Sequence, residues 1–322
     1  MPVSAETGTP GFQARFHRRW NHLNDPHVRT LAWLLDSPDL LDPHSAEWAG
    51  RIASVGAVDG AIEAWLTGLD QEPGTLHAYL DLKPFARLGR YAEKLMAFYL
   101  EHRGWLVAHG VQVRVGKNDT VGEFDFLLRQ DKALIHWEFA TKLFLLESSG
   151  HGCEADYFIG PGLVDTLGTK IRKIMARQLA LSRHPAALLQ LTEPIAAAQA
   201  LLKGWLFYHE RSPMPALPSW ISPQHCRGFW RALEELDEIS GQHFVVLPRL
   251  SWLAPAKLAI VEAALDREAL RQALTSHFAE TSGPALVAVL ESEGGHMLES
   301  DRGFIVPNDW RTRAEAKISQ AK

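Results

Sequence analysis

The sequence predicts an α/β fold in which helices flank a mixed sheet, with a helical extension before this core and an α/β extension after it. In residues 121–146, polar and apolar residues first alternate and a mostly apolar run follows, which predicts two neighbouring strands joined by a tight turn at 130–132. Apolar stripes at 3.6-residue spacing predict helices over residues 86–102 and 163–183. The resulting order over residues 86–208 is helix, three strands, helix, strand, which is typical of a mixed sheet between helices.

The composition is that of an ordinary globular protein. The 322 residues are 46% hydrophobic and 22% charged, which is enough apolar material for a sizeable core. The formal net charge of -5 gives no general attraction to nucleic acid or anionic membranes, so either would require a local basic patch. We divide the chain into a helical extension (residues 1–83), the sheet core (84–210) and an α/β extension (211–322), with a proline-rich stretch at 211–223.

The remaining elements follow from periodicity and from proline and glycine stops. Before the core we predict helices at 27–35, 47–55 and 61–69. Within it, strands are expected at 111–115 and 204–208. The last third predicts a helix at 225–237, a strand at 243–247, a helix at 266–278, a strand at 285–290 and a hairpin over 293–307 around Gly294 and Gly295.

The sequence also indicates a cellular compartment. Cys153 and Cys226 are the two cysteines, too few for a disulfide framework and consistent with a reducing environment. We find neither a run of about 18 apolar residues nor a signal-peptide pattern at the start. We therefore expect a bacterial cytoplasmic protein with no membrane segment.

Acidic residues within the predicted central strands are the strongest functional signal. Glu123 and Asp125 lie on the first strand, and Glu138, Ala140 and Lys142 share one face of the second. A buried carboxylate needs a partner, and two of them on adjacent strands suit Mg²⁺ or Mn²⁺. Lys142 lies roughly 13 Å along the strand from Glu138. The alternative is that Glu138 and Lys142 simply form an ion pair.

A known signature resembles this pattern. Gly122-Glu123-Phe124-Asp125, a turn, and Ile135-His136-Trp137-Glu138 are similar to the motif of the PD-(D/E)XK nuclease superfamily over residues 86–208. The whole chain resembles the bacterial family called domain of unknown function 1853, which is grouped with those nucleases. The resemblance implies a restriction-endonuclease-like core.

The resemblance also implies roles for single residues. Asp125 and Glu138 match the metal-binding carboxylates, and Glu93 matches a helix glutamate that supports the metal in some branches; the role of Glu123 is less defined. The catalytic set would be Asp125, Glu138 and Lys142. The sequence departs from the motif at Ala140, where the lysine is expected, so Lys142 or Lys170 would have to replace it.

The second predicted helix offers a contact surface for nucleic acid. Lys170, Lys173 and Arg177 recur on one face and could bind phosphates, or could simply be a solvated charged face. These observations predict a Mg²⁺- or Mn²⁺-dependent phosphodiesterase that acts on DNA. The alternative is a non-catalytic protein of the same fold, serving as a DNA-binding or protein-interaction module.

Overall fold

A computed structural model describes residues 11–81, 87–116, 119–147, 152, 154–209, 216–259 and 264–321. The helices of these residues are α1 Phe12–Trp20, α2 Pro26–Asp36, α3 Gly60–Gln71, α4 Gly74–Leu80, α5 Leu88–His102, α6 Leu167–Lys173, α7 Pro185–Gln190, α8 Arg267–Glu280 and α9 Trp310–Ala321. The strands are β1 Leu106–Gly116, β2 Asp119–Gln130, β3 Ala133–Leu146, β4 Phe158–Ile159, β5 Ile195–Tyr208, β6 Cys226–Ala232, β7 His243–Val246, β8 Lys257–Leu258, β9 Ala285–Glu293 and β10 His296–Val306.

The strands form one mixed sheet, as predicted. Its order is β1-β2-β3-β5-β6-β10-β9-β7, with β4 added beside β3 and β8 beside β10. The pairs β3–β5, β5–β6 and β6–β10 are parallel, whereas the flanking pairs on both sides are antiparallel. The sheet therefore continues from the predicted core into the C-terminal extension without a break.

The hairpin between β2 and β3 matches the prediction closely. Asp131 and Lys132 both adopt positive φ angles, 45° and 70°, as a two-residue turn of the twisted hairpin type requires. This turn sets a register in which Phe126 faces Trp137. That register later decides which side chains meet at the strand ends.

Helices cover both faces of the sheet. The helix α5 buries Tyr91, Leu95 and Leu100 in a core that also contains Trp137 and Phe139 of β3. The helix α6 packs on the other face, where Leu167 and Ile171 share a cluster with Ala140 and Phe144. Successive β3 side chains point to opposite faces, so α5 and α6 lie on opposite sides of this strand. No helix in the described ranges is long and apolar enough to cross a membrane.

The helix predicted over residues 47–55 is wrong. Only Ala46–Trp48 forms a 3₁₀ turn, and the chain then runs extended alongside β5. The backbone N–H of Ala53 donates to Ala200 O, and the N–H of Ala200 donates to Arg51 O, both within 2.9 Å. Pairing with the sheet outweighs the helical pattern here, and Gly50 adopts a φ of 74° that interrupts a helix.

The helix predicted over residues 225–237 is also wrong. Its first half is β6, and Leu233–Glu238 forms a 3₁₀ turn. The strand lies between β5 and β10, and Gly228 allows a close approach: a Cβ there would be 2.6 Å from Arg302 O. Both neighbours are distant in sequence, so the periodicity of the segment could not reveal the pairing.

The second core helix is shorter and less regular than predicted. It begins at Leu167, where the Thr166 hydroxyl accepts a hydrogen bond from the N–H of Thr169 at 3.0 Å. After Lys173 the helix widens into a π turn at Ile174–Gln178, and a 3₁₀ turn, Leu179–Arg183, follows. The other predicted helices and strands are present within a few residues, except that two strands begin earlier than predicted: β1 by five residues, at Leu106, and β5 by nine, at Ile195. Residue 86, Cys153 and residues 211–215 of the proline-rich stretch lie outside the described residues.

Candidate metal centre and its cleft

The candidate site lies where β2 separates from β3. Their pairing ends at Phe126 and Trp137, while β3 stays paired with β5 as far as Leu145. Asp125 is the next residue beyond that last pair, and its Oδ2 accepts a hydrogen bond from the backbone N–H of Phe139 at 2.8 Å. The carboxylate thus takes over a backbone donor that the departing strand leaves free. The β2–β3 hairpin register places Asp125 beside Glu138.

Three carboxylates from two elements converge at this point. One oxygen each of Glu93 on α5 and of Glu123 and Asp125 on β2 lie within 4.8 Å of one another. Carboxylate oxygens at such spacing can bind a hard divalent cation. Burial raises the pKa of Glu93 to about 7, with Asp125 and Glu123 contributing repulsion.

Glu138 is the most buried acid of the group, with 2% of its surface exposed. Its Oε1 accepts a hydrogen bond from Nε2 of Gln178. The other oxygen, Oε2, is buried and has no hydrogen-bond partner among the residues that the structure describes. An unpaired buried carboxylate oxygen is costly unless a proton or a cation neutralises it.

Asp125 and Glu138 share a hydrogen bond only if one of them holds a proton. Burial and the neighbouring Asp125 raise the pKa of Glu138 to about 9. Burial also raises the pKa of Asp125, and the Phe139 amide and the Lys170 charge offset this only in part. The site therefore disfavours two negative charges near neutral pH. A bound metal ion would supply the positive charge that lets both carboxyls ionise.

The ammonium group whose charge acts on both carboxyls belongs to Lys170. Its Nζ donates to Oε1 of Gln178 at 3.3 Å, so a hydrogen-bonded chain runs from Lys170 through Gln178 to Glu138. Burial lowers the pKa of Lys170, and attraction to Glu138 opposes this shift. The π turn places Gln178 in this chain, and π turns are frequent at functional sites.

Lys142 makes a different contact. Its Nζ lies 2.8 Å from Oδ2 of Asp165, and both side chains are partly exposed. The ion pair with Glu138 that the sequence allowed is therefore not the one formed. Ala140, at the position where the motif has its lysine, is buried against the α6 face.

Glu93, Asp125 and Glu138 line an open cleft of about 980 Å³. Lys142, Lys170 and Lys173 line the same cleft. Arg177 lies instead beside an adjoining groove of about 350 Å³, which shares Lys173 with the cleft.

Comparison with known families adds one result. The model of the family "Domain of unknown function (DUF1853)" matches residues 29–306. The chain belongs to this family. Neither a curated protein nor a solved structure matched the chain.

The structure of this DUF1853 protein adds cleft residues that sequence reasoning missed. Arg87 and Arg90 at the start of α5, and Arg249 and Trp252 beyond β7, line the same cleft. Asp165, the partner of Lys142, was also missed. No local motif marks these positions, because strands far apart in the sequence bring them to one place.

Proposed function

We propose that this DUF1853 protein is a Mg²⁺- or Mn²⁺-dependent phosphodiesterase that acts on DNA and has a PD-(D/E)XK-like core. The order α5, β1, β2, β3, α6, β5 and the antiparallel-then-parallel pairing of its strands support that core. The observation that carries the proposal is the buried, unpaired Oε2 of Glu138 beside three converging carboxylates.

The carboxylates would hold the metal. Asp125 would be the central ligand, with Glu93 and Glu123 on the α5 side and Glu138 on the other. A bound divalent ion would lower the pKa of a water molecule and neutralise phosphate oxygens. The converging carboxylates supply the negative charge that a cation requires. The Gln178 amide orients Glu138 by donating a hydrogen bond to it.

The lysines would serve the phosphate rather than the metal. Lys170 is half-buried, and its ammonium acts on both carboxyls, so it is placed to stabilise the negative charge that develops on the phosphoryl oxygens when the phosphorus is attacked. Lys142, held by Asp165, would assist less. We expect Lys170→Gln to lower kcat about 100-fold or more, since a single stabilising donor is worth that much, and Lys142→Gln to lower it far less.

Calorimetric titration of Mn²⁺ tests the metal site. Wild type should bind Mn²⁺, and Asp125→Asn should not, because it removes the central ligand charge at nearly constant volume. The matched control is Asp165→Asn, which removes a carboxylate from the same cleft but outside the converging group, and it should bind like wild type. Absence of binding to wild type, or equal loss in both variants, would contradict the metal site. Cleavage of plasmid and oligonucleotide DNA should then be seen with the proteins that bind Mn²⁺ and be absent in Asp125→Asn.

One observation favours a second function. Ala140 can carry no charge, and Lys142 is engaged with Asp165, which suits a protein that keeps the fold as a DNA-binding or protein-interaction module without cleaving. Gel-shift experiments at several salt concentrations separate the two. Salt-sensitive DNA binding by a protein that binds Mn²⁺ but cuts nothing would favour this module.

A further inference from the structure

The cations of the cleft lie on two walls. One wall contains Arg87, the residue before α5, and Arg90 of α5, together with Arg249. The 3₁₀ turn Arg249–Ser251 contacts α5, so these arginines belong to one surface. The other wall is α6, with Lys170 and Lys173, on the opposite face of the sheet. Asp125 and Glu138, on the strands β2 and β3 of the sheet, lie between the two walls.

Arg249 is held in place by an aromatic ring. Its guanidinium carbon lies 4.9 Å from the ring centroid of Trp252. The ring is fixed in turn, because it is 8% exposed and its Nε1 donates to Leu247 O at 2.9 Å. Stacking on an indole orients the planar guanidinium while leaving its N–H groups free to bind.

Those N–H groups have no partner in the described part of the chain. Arg249 is exposed, and no hydrogen bond or ion pair involves its guanidinium there. Arg302 provides the contrast: it lies 4.3 Å from the Trp205 ring, but Glu299 and three backbone carbonyls accept all its hydrogen bonds. An oriented guanidinium with free donors in a cleft fits a phosphate, which it can bind through two parallel hydrogen bonds.

We propose that Arg249, stacked on Trp252, binds a backbone phosphate of the polynucleotide on the α5 wall, while Lys173 binds a phosphate on the α6 wall. The strand would cross the carboxylates between these two contacts and leave along the groove that contains Arg177. This assignment rests on the proposed function, and it makes the C-terminal extension part of the substrate site.

The test is DNA binding as a function of salt. Anisotropy of labelled single-stranded and duplex DNA is measured in EDTA, so that neither cleavage nor metal binding contributes. Each phosphate contact that is lost lowers the slope of log affinity against log salt by about 0.9 for duplex and about 0.7 for single strands. We expect Arg249→Gln to weaken DNA binding several-fold and to lower the slope by the amount that corresponds to one phosphate contact. Lys173→Gln should act alike.

The matched control is Arg271→Gln. Arg271 is on α8, bonded to Asp237, and does not line the cleft, so its loss should leave both affinity and slope unchanged. A wild-type slope in Arg249→Gln, an equal change in Arg271→Gln, or no DNA binding by wild type would each overturn the assignment. Mn²⁺ binding and cleavage are measured separately, so a failure of the metal site is distinguishable from a failure of this contact. The DNA form that loses more affinity identifies the form bound at Arg249.

Discussion

Two buried charged clusters in this protein differ in how completely they are satisfied. Glu299 and Arg302 on β10 have fully buried side chains and form a bidentate ion pair at 2.5 and 2.8 Å. Arg302 also donates to the carbonyls of Trp252, Leu253 and Ala254, and Glu299 accepts from the N–H of Ala256. Asp125 and Glu138 are two acids side by side, with one oxygen left unpaired among the described residues.

This difference distinguishes a network that stabilises the fold from a site that can bind a ligand. The Glu299–Arg302 pair joins β10 to the segment 252–256, and each of its groups has a partner, as a stable buried ion pair requires. The Asp125–Glu138 pair has no such complete set of partners among the described residues. A bound cation would neutralise its negative charge. The following predictions rest on this contrast.

Arg302→Met should cause the largest loss. It leaves the Glu299 charge buried without its partner, which costs about 3–5 kcal/mol of unfolding free energy. Urea unfolding monitored by tryptophan fluorescence measures this. A loss below about 1 kcal/mol would show that the pair is not the structural network we describe.

Divalent metal should stabilise the other cluster. At Mn²⁺ one hundredfold above its dissociation constant, the unfolding free energy should rise by about 2.7 kcal/mol. Asp125→Asn should abolish the gain, and Asp165→Asn should retain it. Stabilisation that persists in Asp125→Asn would place the ion elsewhere.

Glu138→Gln should stabilise the metal-free protein by about 1–2 kcal/mol near neutral pH. The amide still accepts from Gln178, and it can donate to Asp125. The pKa of Glu138 rises from 4.5 to about 9 on folding, so the folded state binds more protons in that range and wild-type stability falls as pH rises through it. The difference between variant and wild type should therefore grow from pH 4.5 upward.

Unfolding curves at several pH values test this, with the exposed Glu291→Gln as a control that should stay level with wild type. A destabilised Glu138→Gln, or a difference independent of pH, would mean that Glu138 is already satisfied as an anion.

Lys142→Gln should have the smallest effect on stability. Its pair with Asp165 is partly exposed, and such pairs contribute about 0.2–1 kcal/mol. Thermal unfolding of Lys142→Gln, Asp165→Asn and the double variant gives the pair energy. A coupling above about 2 kcal/mol would show that this pair belongs with the Glu299–Arg302 type of network.

Predictions from the sequence are good wherever the determinants of the structure are local. The stripe of α5, the two-residue turn at Asp131 and Lys132, and the hairpin around Gly294 and Gly295 depend on neighbours in the chain. The wrong helices at 47–55 and 225–237 lie where the chain pairs with β5, whose position in the fold is not written in either segment.

The position of Asp125 next to Glu138 has a local origin, because the two-residue period of the strands and the tight turn between them set the β2–β3 register. Which cations accompany these two acids depends on packing between segments that are far apart in the chain. Lys142 points to Asp165, the π turn brings Gln178 and Lys170 to Glu138, and the C-terminal extension supplies Arg249. These contacts join residues from separate elements. The pairing of β5, β6 and β10 in the sheet and the packing of α6 on the sheet set the distances between them.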